Sequence, residues 1–417
     1  MAPLRRWIFA GALGGALLVA SVAGAGLALP PFGGEFSGEF AALKLSGAPT
    51  LRWTLAATPN DAQGRDLVLT IEGTGTRLIV RGAVDDAGDG RWAIEEGALD
   101  PARWFPSVAN ELGEFTNGVA VSGVLTLRGS GTFVRGEPRG TIAVQWRDGV
   151  VQQEVEGWTL EGVTFDGEFS IEGGGATIAS TRPFELAVGT IGTTRFGARN
   201  FLARGRLQEG GRLALSEARI EVAGGEVTVD PAEIALAPLV GEVNLRITNV
   251  GLQDVAALVP AGLAETRGRI NGAVRVGWRE GEGFQLGQGN LVLGETESAM
   301  LRLAPSPGFL TDRVSPRFEL LPAWLGPIAK WVRPKNPAYA DLRDIELGFT
   351  DLRLEGLSVQ LTPAGDGEGR TARVRVRARP LKPGGVVEQV TFEVNVAGPL
   401  SEVVRLGLNQ SFSVETR

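Results

Sequence analysis

Carboxylates are the residues in this sequence whose spacing comes nearest to a reaction. Asp85, Asp86 and Asp89 stand in Asp-Asp-Ala-Gly-Asp-Gly, and Glu95-Glu96 and Asp341/Asp344 form two further acidic pairs. Clustered oxygens suit calcium, but the twelve-residue ligand pattern of an EF-hand is missing. Asp and Gly are also the residues a hairpin turn needs, which is the reading these types favour. A carboxylate pair can hydrolyse a glycoside without histidine, yet neither pair comes with a partner base. The 417 residues include no His and no Cys. That removes His-dependent triads, thiol nucleophiles, Cys-based zinc sites and the usual proton shuttle of neutral pH. No Gly-x-Ser-x-Gly elbow, P-loop or dinucleotide fingerprint is present. The residues point away from an enzyme, from a metal centre and from a cofactor.

One basic feature stands out. Arg373, Arg375, Arg377 and Arg379 alternate with Val374, Val376 and Ala378, so a strand puts all four guanidinium groups on one face. Such a stripe suits anionic head groups or an acidic partner. It equally suits a solvated outer face whose charge protects an edge. With a net charge of −7 and no basic tail, the chain has no basic surface of the kind that neutralises phosphates, and nucleic acid is not the partner expected.

The elements that must carry these residues are strands. Val243, Leu245 and Ile247 share one face of Glu242–Thr248, with Glu242, Asn244, Arg246 and Thr248 opposite, the period-two pattern of a half-buried strand. The alternation recurs at Ile142/Val144/Trp146, Val274/Val276/Trp278, Ile345/Leu347/Phe349, Leu357/Val359/Leu361 and Phe392/Val394/Val396. Clusters of Asp and Gly separate the runs, and the 60 glycines have no collagen period. About twenty strands are expected, mostly in hairpin succession; at ~4.8 Å per strand they extend roughly 95 Å. Two short helices interrupt them, Leu252–Val259 and the aromatic stretch Pro322–Pro334, where Trp324, Ile328 and Trp331 fall on one side. That second helix fits membrane-surface contact through Trp324 and Trp331, a plug on an apolar groove, or ordinary core packing.

Arg5 and Arg6 precede an uncharged apolar run from Trp7 to Leu29, closed by Pro30-Pro31. As a helix it is about 35 Å long at ~1.5 Å per residue, enough to cross a hydrocarbon core of roughly 30 Å. The arginines would stay cytoplasmic and the remainder would be exported. A cleaved signal peptide ending near Ala23-Gly24-Ala25 is the competing reading. The chain then divides into the anchor or signal segment 1–31, a strand-rich part 32–180, a second such part 181–303, a Pro-rich aromatic insertion 304–340 and a final strand-rich part 341–417.

From residue 221 to 303 the succession Glu221–Val227, Val243–Ile247, Val250-Gly251-Leu252, Thr266–Gly272, Phe284-Gln285-Leu286 and Gly289–Leu293 resembles the C-terminal region of YdbH-type proteins. These belong to the wider AsmA-like group with TamB, and the region also carries the older name "dicarboxylate transport" domain. The ending Val394–Leu400 with Leu406-Gly407-Leu408 is similar too. The resemblance covers roughly 180–417 and rests on strand patterns and glycines; this chain is shorter than such proteins. It implies an all-β fold, a long twisted antiparallel sheet curled into an open groove, the β-taco, behind one N-terminal transmembrane helix. It further implies an inner-membrane protein, most of it periplasmic, whose apolar lining carries phospholipid acyl chains towards the outer membrane, with an outer-membrane lipoprotein or a porin-like protein as partner. The residues expected to line the groove are Val243, Leu245, Ile247, Val274, Val276, Trp278, Ile345, Leu347 and Phe349. An exported structural or adhesive β-sandwich without lipid is the alternative.

Overall fold

The structure, a computed structural model, describes residues 34–397 except 42–49, 61–63, 113–117, 136, 155–156, 173–176, 194–196, 237, 254–262, 280–282, 295–298, 313, 319–333 and 366–368. Among the described residues it is all-β, with 22 strands in one antiparallel sheet and two short helices. No helix among those residues is long and apolar enough to cross a membrane. Residues 7–29, where such a helix is expected, lie outside them, as do the helix expected over Pro322–Pro334 with Trp324 and Trp331, and all but the first two residues of Leu252–Val259.

The chain groups into two compact units. One comprises Met1–Ile220, Val229–Val243 and Trp278–Phe284, the other Glu221–Thr228, Asn244–Gly277 and Gln285–Arg417. The first unit begins with a meander of β1 (Gly34–Ala41), β2 (Thr50–Pro59), β3 (Arg65–Gly73), β4 (Thr76–Val84) and β5 (Gly90–Leu99), each paired to the next. Helix α1 (Pro101–Leu112) follows, in addition to the helices expected from the sequence. Its start is a local signal: Asp100 Oδ1 accepts from the Ala102 amide, Pro101 occupies the first turn, and Trp104 Nε1 donates to Thr76 Oγ1 at 2.8 Å.

Three long strands come next, β6 (Val119–Val134), β7 (Glu137–Gln153) and β8 (Trp158–Glu172). β6 pairs with β5 and β7, and β7 with β8. The two ends of β8 pair with β9 (Thr177–Ser180) and β10 (Phe184–Thr193), and β10 pairs with β11 (Gly197–Gln208). β12 (Arg212–Val222), β13 (Gly225–Val229), β14 (Ala232–Leu236) and β15 (Leu239–Gly251) complete this stretch, with β14 laddered to both β12 and β15.

The remaining strands are β16 (Leu263–Arg267), β17 (Arg269–Arg279), β18 (Gly283–Leu293), β19 (Met300–Leu303), β20 (Leu352–Leu361), β21 (Arg370–Pro380) and β22 (Val390–Ala397). In the second unit β20 pairs with β18, β19 and β21, and β21 with β22. Apolar residues of this unit converge on one cluster: Val250, Leu252, Ile270, Leu301, Ile345, Leu352, Val376 and Ala378 are among its buried members.

Ile345 reaches that cluster from a helix rather than the expected strand. Helix α2 spans Pro337–Glu346, so the alternation Ile345/Leu347/Phe349 does not form a strand. Asn336 caps the helix by accepting from the Ala338 amide, and Pro337 begins it. Ala338, Leu342 and Ile345 share a helical face, and the Asn-Pro start signal outweighed three alternating apolar residues. Leu347 is the C-cap, and Phe349 lies beyond the helix at 77% exposure.

Candidate functional site

An apolar face runs across β6, β7, β8 and β10. Leu125 and Leu127, Ile142, Val144 and Trp146, Phe165, Phe169 and Ile171, and Phe184, Leu186 and Val188 are all buried on it. Cross-strand registers bring them together: Leu127 faces Val144, Trp146 faces Phe165, Ile142 faces Phe169, and Leu186 faces Phe165. The Phe165 ring stacks with Phe169 and Phe184, centroids 6.4 and 5.8 Å away. Burial of this kind is worth about 25 cal/mol per Å² of apolar surface.

The same strands are interrupted along one line. The β6–β7 ladder shifts register between Ser122 and Val124, skipping Gly123 on one strand and Asp148-Gly149 on the other. The β7–β8 ladder shifts at Gly149/Val150 and leaves out Gly162. In the β10–β11 ladder, Gly189 and Asn200 drop out of pairing at the same level without a change of register. Gly123, Asp148, Gly162 and Asn200 all have positive φ, at 121°, 50°, 64° and 53°. A Cβ on Gly123 would stand 2.5 Å from Trp146 Nε1 and 2.9 Å from the Gly149 Cα; one on Gly162 would stand 3.6 Å from the Gly189 Cα. Bulges of this type bend a strand and raise its twist. They also shift the phase of alternation, so Leu160 and Val163 are both buried although they stand three positions apart, an odd offset that would put them on opposite faces of a regular strand. Val121, Val151 and Leu160 therefore continue the apolar face beyond the crease.

The residues expected to line a groove are distributed as follows. Val243 on β15 and Val274, Val276 and Trp278 on β17 are buried; Leu245 and Ile247 are half-buried. The Trp278 indole lies against Gly241, where a Cβ would come within 2.3 Å of its Cζ2. Ile247 packs against the cluster that contains Ile345, so the structure unites these two, while Phe349 is exposed.

The charged groups singled out by spacing are held in place by other residues. Asp85 Oδ1 accepts from the Ala87 and Asp89 amides at 2.9 Å, Asp89 from the Arg135 amide at 2.7 Å, and Asp86 pairs with Arg65. This is a hairpin turn, and among the described residues no group of three or more His, Cys, Asp or Glu is arranged to hold a metal. Glu95 and Glu96 diverge to Arg81 and Arg77, and Glu95 sits where the β4–β5 register shifts. Arg373 and Arg375 share Glu393, whose carboxyl is held below its usual range chiefly by the Arg375 hydrogen bond, and Arg379 pairs with Glu355. Neighbouring strands thus carry counter-charges for Arg373, Arg375 and Arg379 of the stripe.

Asp341 and Asp344 do have a cationic partner. Lys382 Nζ donates to both, at 2.8 and 2.7 Å. Asp341 also accepts from the Val386 amide at 2.7 Å, and the Lys382 hydrogen bond is the largest cause holding its carboxyl below the usual range. Glu346, which no spacing argument singled out, is buried at the end of α2 and accepts from the Leu310 amide and from the Thr311 amide and hydroxyl. Burial alone would raise its pKa, but these hydrogen bonds together bring it below the ordinary value. No sequence signal marks it, because its partners lie in a loop 35 residues away.

No protein family, curated protein or solved structure matches the chain.

Proposed function

We propose that this chain is a non-enzymatic lipid carrier of the bacterial envelope, holding phospholipid acyl chains along the apolar inner face of its bent sheet. In this reading residues 7–29 anchor it in the inner membrane, most of the chain is periplasmic, and a lipoprotein or porin-like protein receives the cargo at the outer membrane. The observation that carries it is the crease: adjacent strands interrupted along one line by positive-φ residues, with buried apolar side chains on both sides of that line. Bulges aligned across neighbouring strands bend them together, which supports two leaves of one sheet facing each other across an apolar trough. Acyl chains would fill it with no covalent chemistry, in keeping with a sequence that has neither His nor Cys.

One observation favours a second reading. Leu51, Ile142, Val144 and Leu352 are 0% exposed, as expected of a β-sandwich whose leaves already pack on each other. That protein would be structural or adhesive and carry no lipid. Purification in mild detergent, lipid extraction and photo-crosslinkers at Leu245 and Val276 separate the two. Phospholipid bound to the chain and crosslinked at both positions is the expected result. Crosslinks to protein alone, with no lipid retained, would sink the carrier reading.

A further inference from the structure

One row of cross-strand neighbours on the inner face of the first unit runs Gly82, Trp92, Gly131, Gly140 and Ile171. Three of the five have no side chain, and the indole of Trp92 lies against one of them, Gly140. A Cβ on Gly140 would come within 2.9 Å of Trp92 Cζ2, at the ring edge next to Nε1. Trp92 is 6% exposed, and its Nε1 hydrogen is buried with no acceptor among the described residues. A buried donor without a partner costs free energy comparable to a lost hydrogen bond. Trp104 shows the ordinary outcome, with its own Nε1 satisfied by Thr76.

The position of the row matters as much as its missing acceptor. It lies close to the hairpin end of β6 and β7, where Val134 pairs with Glu137, and away from the crease. From Gly131 back to Gly123, β6 spans about 26 Å at ~3.3 Å per residue. One leaflet of a bilayer's hydrocarbon core is about 15 Å deep, half of roughly 30 Å. An acyl chain laid from the Trp92 row towards Gly123 therefore matches the face in length, and the group at its head falls at the indole.

We propose that Trp92 Nε1 donates a hydrogen bond to the ester carbonyl oxygen of a glycerolipid whose acyl chain runs along β5–β7 towards the crease at Gly123. This rests on the carrier reading and adds to it a specific polar contact and a preference for ester-linked lipid. Nε1 is closed to solvent as the strands now pack, so the acceptor must arrive with a ligand that displaces the side chains covering this face. An ester carbonyl is the acceptor that a phospholipid carries at the top of its hydrocarbon.

The test uses the full chain in detergent, delipidated and then offered an equal mixture of diester and diether phosphatidylethanolamine of the same chain length. The ether lipid lacks only the carbonyls. Mass spectrometry of the bound fraction should show the diester enriched about threefold to tenfold, the worth of one hydrogen bond. In Trp92→Phe, which keeps a ring over Gly140 and removes the donor, the ratio should return to about one. Equal binding of both lipids by the native chain, or the same enrichment in Trp92→Phe, overturns the assignment and leaves the carrier reading standing. Failure of the native chain to bind either lipid overturns both.

Discussion

Glu346 and Asp341 carry the clearest consequences of single residues. Each fastens a loop to α2: Glu346 takes the amides of Leu310 and Thr311, and Asp341 takes Lys382 and the amide of Val386. Both carboxyls lie below their ordinary values of 4.5 and 3.8 in the folded chain. The unfolded chain thus binds protons first as the solution is acidified. Their contribution is complete above about pH 4.5, the ordinary Glu value, and is lost as pH falls through the lower folded values. Glu346→Gln should cost about 1–3 kcal/mol at neutral pH, because a buried set of donors loses its anionic acceptor. It should also flatten the acid limb of the stability profile, as measured by denaturant unfolding from pH 7 to pH 3. An unchanged acid limb would show that Glu346 does not couple proton binding to folding. Neither role is legible in the residues alone; Asp341 and Asp344 stand out only as a pair, and Lys382 is separated from them by two strands.

At the scale of elements, hairpin order and face assignment follow closely from alternation. Ile142, Val144 and Trp146, and Val274, Val276 and Trp278, are buried together on their strands. Departures occur where a local signal competes with period two. Asn336-Pro337 starts a helix through Ile345, and Asp100-Pro101 starts another. The crease is the larger departure, since its bulges reset the phase of β7 and β8 in mid-strand. Gly123→Ala meets both a φ of 121° and a Cβ contact of 2.5 Å with Trp146 Nε1, and should destabilise the chain by about 1–3 kcal/mol. Gly197→Ala, with nothing within 4 Å of its Cβ, should stay within ~0.5 kcal/mol of the parent. Urea midpoints of the two variants measure the contrast, and equal midpoints would remove the crease as a strained element.

For the whole molecule, the decisive quantity is what the inner face of the sheet contacts. A carrier predicts that added phospholipid raises the unfolding midpoint as its concentration passes the dissociation constant, since a ligand bound only to the folded state stabilises it by mass action. A closed sandwich predicts no such shift. A charge placed inward by Val276→Asp separates the cases further. In a carrier that still folds it should abolish the lipid-dependent shift; in a sandwich it should lower the midpoint with lipid or without. A thermal melt with and without phosphatidylethanolamine vesicles, for both chains, provides the measurement.

Composition and alternation by themselves determine that this is an all-β chain of many hairpins with one apolar face, and that His and Cys chemistry is absent. Those properties are local: a residue's type and the parity of its position settle them. The tertiary structure decided which residues stop the alternation, which acids are tied to which cations, and where glycines from different strands fall in one row. Gly123, Gly149, Gly162 and Gly189 are dispersed in sequence and meet only because antiparallel registers align them. Trp92 likewise comes to lie over Gly140 through the pairings of β5, β6 and β7. Register is a property of pairs of strands, so no window of sequence contains it.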